Sequence, residues 1–340
     1  MSRAKIKFGV VGQGHIGKRH AEMIRYNKDA ELIAVCDEKS KSELGIDGIT
    51  EKFYPSIGEL INAHPEIEVI NICTPNGLHA SQSIEALKAG KHVVCEKPMA
   101  LSKADCEEII FTALQQNKQV FTVMQNRYSP PSIWLKEIID NKIIGDAFIV
   151  EINCFWNRDE RYYTKPHWKG TKTLDGGTLF TQFSHFIDIM YWVFGDINNI
   201  HARFKNFNHK TLTEFEDSGI VSFDFLKSGY GILNYSTSVW SKNMESSMTV
   251  VGSKGSIKIG GQYMDKVEYC HVKDYEMPNL VPTNPANDYG TYKGSANNHP
   301  QVIQNVIDTL YGNNSPSTNA LEGLKVVEII ERIYKSTPNV

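Results

Sequence analysis

Apolar residues along the first third of the chain come in short runs, separated by longer stretches with helical spacing. Residues 6–11 run into glycine, and a helical pattern follows to about residue 27. Further apolar runs stand at 31–36, 69–73, 92–95 and 120–124, with helical patterns at 79–89 and 103–117 and an irregular stretch between residues 37 and 68. Strand-sized runs joined by helices of ten or more residues require crossover connections, hence a parallel sheet. This predicts a doubly wound α/β domain over residues 1–125.

The pattern changes after Pro130 and Pro131. A helix at 132–141 leads into alternating strands at 147–155, 200–207, 218–225, 230–239, 247–251 and 256–259, with a helix at 179–194 after the first. Glycine-bearing loops at 226–229 and 252–255 read as hairpins. Residues 126–340 are therefore expected to form an α+β domain on a mostly antiparallel, open-faced sheet. Two closing helices, about 300–311 and 319–335, pack back on the rest. In the strand from Gly229, Tyr230 and Ile232 lie on one face and Leu233 and Tyr235 on the other. Both faces want a cover, one from the chain's own helix and one from a second subunit.

Composition narrows the class. At 340 residues, with 41% hydrophobic and 22% charged residues, the chain is an ordinary globular protein large enough for two cores. A net charge of -3 with interspersed signs gives no reason to expect nucleic acid. The most apolar helical stretch, 186–194, is too short for a bilayer, and residues 1–7 lack a signal-like apolar core. Six cysteines without CxxC or zinc spacing fit a reduced, cytoplasmic protein.

Gly12-Gln13-Gly14-His15-Ile16-Gly17 directly follows a strand and opens a helix. In this pattern the first glycine permits the tight turn, the second admits a diphosphate to the backbone, and the third lets helix and strand pack closely. The helix N-terminus supplies N–H groups and partial positive charge. Asp37 ends the second strand, where a carboxylate hydrogen-bonds ribose hydroxyls and repels a 2′-phosphate. NAD is the expected cofactor, and NADP stays open because Lys39 and Lys41 stand nearby. Thr74-Pro75-Asn76 with His79, and Glu96-Lys97-Pro98, follow two further strands, at the sheet edge where such ligands bind. The Lys97-Pro98 bond is a candidate for the cis form.

These segments, with His20 after the glycines, resemble the Gfo/Idh/MocA oxidoreductases. Asp175-Gly176-Gly177 followed by His185-x-x-Asp188 extends the resemblance, as does His299 at the head of a closing helix. The resemblance implies a Rossmann domain, a sheet domain, and dimers or tetramers acting on sugars, inositols and related polyols. It implies that Lys97 and His185 are catalytic and that Asn126 and Arg127 lie near nicotinamide and substrate. Many relatives place an aspartate four residues before the histidine. Here it is Thr181, which on a regular helix would share a face with His185.

Oxidising a secondary alcohol needs a base for the hydroxyl proton. Lysine would have to become about 3–4 kcal/mol easier to deprotonate for that work near neutrality, whereas histidine titrates closer to it. Asp188 reads as a structural partner, and no third ligand accompanies His185 and Asp188, so no metal is expected. The stretch 153–170 carries Trp156, Arg158, Arg161, Tyr162, Tyr163, Lys165, His167, Trp168 and Lys169. Aromatic faces stack on rings and Arg groups hold carboxylate or phosphate, though the same residues would serve as a loop covering the sheet. Tyr163, Trp168 and Thr181 join Lys97, Asn126, Arg127 and His185 as expected substrate contacts, with Trp168 also near the cofactor. This stretch is similar to the branch that oxidises UDP-N-acetylglucosaminuronate at C3. The expected substrate is a sugar or nucleotide sugar. A free-sugar, inositol or dihydrodiol dehydrogenase, or a non-catalytic dinucleotide sensor, remains open as an alternative.

Overall fold

Valine and isoleucine fill the buried strands of a six-stranded, all-parallel sheet. The strands are β1 (Ile6–Val11), β2 (Ala30–Cys36), β3 (Lys52–Tyr54), β4 (Val69–Ile72), β5 (His92–Cys95) and β6 (Val120–Thr122), in the order β3-β2-β1-β4-β5-β6. The computed structural model describes residues 3–163, 168–290 and 292–337. Helices α1 (His15–Tyr26), α4 (His79–Lys88) and α5 (Lys103–Gln115) supply crossovers at the expected places. The stretch 37–68, irregular by pattern, contains α2 (Lys41–Leu44), β3 and α3 (Ile57–Ala63). Three strand residues and a four-residue helix are too short to establish a period. A Ser40–Glu43 capping box marks the start of α2.

Two units divide the chain, residues 1–124 with 299–327 and residues 125–298 with 328–340. The C-terminal segment is thus shared: α8 (His299–Leu310) and the start of α9 (Ala320–Lys335) belong to the first unit, the end of α9 to the second. Gly323 of α9 sits where a Cβ would stand 2.4 Å from the Thr122 hydroxyl, which explains glycine in that helix.

In the second unit, α6 (Pro130–Asp140) starts two residues earlier than expected, because prolines at the first helical positions need no N–H partner. A seven-stranded sheet follows: β7 (Ala147–Phe155), β8 (Ile197–Lys205), β9 (Ser218–Phe225), β10 (Tyr230–Ser236), β11 (Glu245–Gly252), β12 (Gly255–Gly260) and β13 (Lys266–Val272), ordered β13-β12-β11-β7-β10-β9-β8. Only β7 and β10 pair in parallel. The unexpected β13 is a largely exposed edge strand, so its alternation is weak. A two-stranded ribbon, β14 (Ala286–Asp288) and β15 (Lys293–Ala296), was likewise too short to show in the pattern.

One sheet face is covered by α7 (Ser184–Phe194) and the turn before it. Phe183 and Phe186 meet the Trp156 ring, Phe183 meets Tyr235, and Phe194 meets Phe225, with centroids 5.3–5.7 Å apart. On the other face Ile149, Ile220, Tyr230 and Ile232 are exposed. Among the described residues no helix is long and apolar enough to cross a membrane, and all six cysteines are free thiols.

Candidate functional site

The turn between β1 and α1 shows why each glycine is needed. Gly12 has φ +88°, and a Cβ there would meet the Cys73 carbonyl oxygen at 2.6 Å. A Cβ on Gly17 would lie 1.7 Å from the Gly12 carbonyl oxygen. Around Gly14 there is nothing within 4 Å of such a Cβ, so the backbone lies open where a diphosphate must approach. His15 opens α1 and is exposed, while Ile16 is half-buried. Asp37 secures the turn: its carboxylate accepts the Gln13 N–H at 2.6 Å and the Lys39 N–H at 3.0 Å, and it stays half-buried.

The segments after β4 and β5 are tied together by His79. Its Nδ1 stands 2.7 Å from the Pro98 carbonyl and its Nε2 2.9 Å from the Thr74 carbonyl. Burial pulls this imidazole below its usual pKa, and the two carbonyls oppose that pull. The Thr74 hydroxyl donates to Gln82, and Asn76 opens a short 3-10 turn (Asn76–Leu78). The Lys97-Pro98 bond is cis, and Lys97 is half-buried. Glu96 faces inward, with Oε1 2.9 Å from His20 Nε2 and Oε2 3.2 Å from the Lys97 N–H. Glu96 was expected beside the cofactor, and its carboxylate meets these two neighbouring protein groups. Among the described residues, His20, Glu96 and His299 are also the one group whose ligand-type atoms all lie within 4.8 Å of one another.

In the second unit, Arg127 is buried and its guanidinium forks onto Asp188, at 2.6–3.1 Å. A buried pair broken on one side costs about 3–5 kcal/mol, so this pair fixes the loop before α6 to α7. Arg127 was expected at the substrate. In the structure its guanidinium pairs with Asp188, which takes the partner role foreseen for it. Asn126 is buried, donates weakly to Ser295 at 3.5 Å, and keeps its Oδ1 without a hydrogen bond among the described residues.

Just ahead of α7 the chain winds as a π-turn (Leu179–Phe183). That wider winding breaks the four-residue spacing assumed for Thr181 and His185, and π-turns concentrate at functional sites. The Thr181 hydroxyl donates to the Asp175 side chain and, at 3.0 Å, to the Asp175 carbonyl. Asp175 also accepts the Gly170 N–H at 2.7 Å. His185 follows on α7 and is buried. Gly177 (φ +140°) must lack a side chain because a Cβ would lie 2.6 Å from the Tyr334 hydroxyl. That hydroxyl accepts the Leu179 N–H and donates to Glu216 at 2.7 Å, as Tyr235 does at 2.8 Å. Burial pushes the Glu216 carboxyl up to about 7, against the two tyrosine hydrogen bonds. A cavity of about 730 Å³ opens beside Glu216, with Lys172, Lys205 and Lys210 at its exposed rim.

The aromatic, basic stretch folds mostly inward. Arg158 is fully buried, held by Gln182 at 2.7 Å and Asn243 at 3.1 Å, with its charge over the rings of Trp156, Tyr162 and Tyr292. Tyr163 is buried against Tyr162 and His209, so it serves the interior rather than presenting a ring at the surface. Lys169 lies 3.8 Å over the Tyr162 ring, and burial together with the Arg158 charge lowers it to about 8. Trp168 is half-buried, its carbonyl accepting from Thr171. Lys165 and His167 lie outside the described residues. The sequence named Lys169 only within its basic stretch and Asp175 only within the Asp-Gly-Gly segment, and it did not single out Glu216. For Glu216 the only signal was two consecutive acids before a strand, which periodicity does not weigh.

A parallel sheet in 3-2-1-4-5-6 order, with a three-glycine turn at the first strand and a carboxylate at the second, defines a dinucleotide-binding α/β protein. Residues 6–124 match the family described as an oxidoreductase family with an NAD-binding Rossmann fold, and residues 133–258 match the GFO/IDH/MocA C-terminal domain. The chain belongs to the Gfo/Idh/MocA oxidoreductases, and its first unit is their NAD-binding domain. Two similar structures are WlbA dehydrogenases solved with NADH and UDP-GlcNAcA. That from Bordetella pertussis is 29% identical, with TM-score 0.85, over 98% of this chain and 96% of its own. That from Chromobacterium violaceum is 31% identical, with TM-score 0.85, over 99% and 94%. Inositol 2-dehydrogenase of Salmonella typhimurium is 31% identical over 196 residues, 56% of this chain and 55% of that enzyme, so the match spans about half the length of this curated relative.

Proposed function

We propose that the protein is an NAD-dependent dehydrogenase that oxidises one secondary alcohol of an anionic, nucleotide-linked sugar. The observation that carries this reading is whole-length likeness to two enzymes solved with NADH and UDP-GlcNAcA. The turn at Gly12, Gly14 and Gly17 supports the cofactor, since only the Gly14 backbone is left open to a diphosphate. NAD, when bound, supplies the hydride acceptor. The chain's own task is to position the carbinol and take its proton.

Lys97 and His185 share that proton in this proposal, Lys97 contacting the reacting hydroxyl. Thr181, hydrogen-bonded to the buried Asp175, orients a substrate hydroxyl but takes no proton itself. Lys169 and the buried Arg158 bring two positive charges together over the Tyr162 and Tyr292 rings, a local concentration suited to carboxylate or diphosphate. Asn126 and Trp168 complete the proposed contacts. The exposed apolar residues of the sheet face support a homo-oligomer, which a monomeric mass in solution scattering would exclude.

The test is NADH formation at 340 nm with UDP-GlcNAcA, other nucleotide sugars, myo-inositol and free sugars. Turnover with a uronate-bearing nucleotide sugar is expected. Lys97→Ala and His185→Ala should each lower kcat by about 100-fold or more while leaving NAD affinity within a few-fold. The inositol dehydrogenase match favours a second reading, which turnover with myo-inositol alone would select. NAD binding without turnover on any of these compounds would mean a dinucleotide sensor.

A further inference from the structure

We propose that His20, Glu96 and His299 form a buried positioning triad that sets the placement of Lys97 and couples it to the dinucleotide turn. The inference rests on the reading of Lys97 as a proton-handling group. All three residues lie in the first unit and are nearly inaccessible to water, at 1%, 6% and 1% exposure.

Both Glu96 oxygens have defined partners. Oε2 accepts the N–H of Lys97 at 3.2 Å, so the carboxylate holds the peptide that carries the lysine. Oε1 lies 2.9 Å from His20 Nε2, with His299 Nε2 behind it at 3.6 Å. A buried carboxyl normally stays neutral. Here burial does push that way, but the two histidines outweigh it and hold Glu96 well below the usual carboxylate range. The group is therefore an anion, able to accept from several N–H donors at once.

Asn71 settles the direction of the chain of bonds. Its amide nitrogen is 2.8 Å from His20 Nδ1, and an amide N–H donating there leaves the His20 proton on Nε2, facing Glu96. Asn71 is fully buried on β4. Donation then runs from Asn71 to His20 and from His20 to Glu96, with Lys97 N–H meeting the carboxylate from the other side. His20 belongs to α1, the helix that opens at the glycine turn. A shift of that helix is thereby transmitted to the backbone of Lys97. His299, at the head of α8, sits edge-on to His20 at 5.7 Å and is the looser member. The three side chains also resemble a metal site, but a metal would require the His20 Nε2 lone pair, which this pattern assigns to a proton.

The experiment compares His20→Leu with His20→Gln in the full-length protein. Glutamine places an N–H near the former Nε2 and leucine does not. His20→Leu is expected to lower kcat by about 10- to 100-fold, the scale of a misplaced reacting group, with KM and NAD Kd changed less than about threefold. His20→Gln should restore most of the loss. A second readout needs no sugar: the rate of Lys97 acylation by a small reagent, quantified by peptide mass spectrometry, should change in His20→Leu and return in His20→Gln. His299→Leu should show the same signature more weakly, and serves as the test if His20→Leu does not fold. Unchanged kcat and Lys97 labelling in the leucine variants would overturn the triad. So would equal loss in His20→Leu and His20→Gln, or one equivalent of bound metal that both variants lose. If the wild-type protein turns over no sugar, the enzyme reading fails while the labelling contrast still decides the triad.

Discussion

Backbone does the work at residues 12–17, and side chains do it at residues 156–181. In the glycine turn, two positions have no room for a Cβ and the third has only open space, so the site is defined by what the residues lack. Around Arg158, Lys169, Asp175 and Thr181 the opposite holds: charged and aromatic groups fold against one another, and the site is defined by which of them turn inward. A backbone site admits few sequences and many substrates, because every dinucleotide presents the same diphosphate. A side-chain site can be rebuilt one contact at a time, which suits the substrate-distinguishing role proposed for these residues.

Alanine at two glycines would break the first half of this comparison most sharply. Gly17→Ala forces a Cβ to 1.7 Å from a backbone oxygen that cannot swing away. Strain of about 3 kcal/mol or more is expected, seen as a lower thermal midpoint and loss of measurable NAD binding by calorimetry. Gly14→Ala has open space around the new methyl, so the midpoint should stay within about 2 °C of wild type. The methyl would nonetheless occupy the diphosphate's approach, and NAD affinity should fall by roughly 10- to 100-fold. Equal midpoints for both variants, or unchanged NAD affinity in Gly14→Ala, would mean that glycine is not needed there for the reason given.

The same contrast explains what could be read from the sequence. Gly12, Gly14, Gly17 and Asp37 lie in one short stretch whose geometry follows from local backbone rules, so motif and structure coincide. Five of the six parallel strands and the helices of residues 69–124 follow from period alone, whereas β3 and the strand order do not. Arg127 and Tyr163 are different. Whether an arginine holds a substrate or a neighbouring Asp188 depends on a residue 61 positions away, and no periodicity encodes that choice. Thr181 was placed by assuming a regular helix, and one π-turn altered its neighbours. Glu216 depends on Tyr235 and on Tyr334, 118 positions onward.

A middle-sized effect sharpens the second half. Lys169 is lowered to about 8 by burial and by Arg158, so it is mostly an ammonium at neutral pH and loses its charge above pH 8. Lys169→Met should raise KM for a carboxylate- or diphosphate-bearing sugar by about 10-fold, the scale of one charge-assisted hydrogen bond, while NAD affinity stays unchanged. In the wild type the same KM should climb between about pH 8 and 9, and that climb should vanish in the variant. A neutral sugar turned over with equal KM by both proteins would remove Lys169 from anion recognition.

The smallest effect concerns how firmly side chains, rather than backbone, hold the start of the π-turn. Glu216 keeps its carboxyl at about 7, against an ordinary 4.5, so between these values the folded protein binds a proton that the unfolded chain has released. Stability must then fall as pH rises through that window, because it changes in proportion to protons bound by the unfolded state minus those bound by the folded one. The full penalty, on the order of 3 kcal/mol, applies above about pH 7 and disappears below about 4.5. Glu216→Gln keeps a group that accepts from Tyr334 or Tyr235 but carries no titration. Its thermal midpoint should match wild type near pH 5 and exceed it by several degrees at pH 8. Parallel midpoints across that range would show that the carboxyl is ionised inside the fold at no cost. The Tyr334 hydroxyl would then hold Leu179 and the neighbouring Gly177 without needing a neutral partner beneath it.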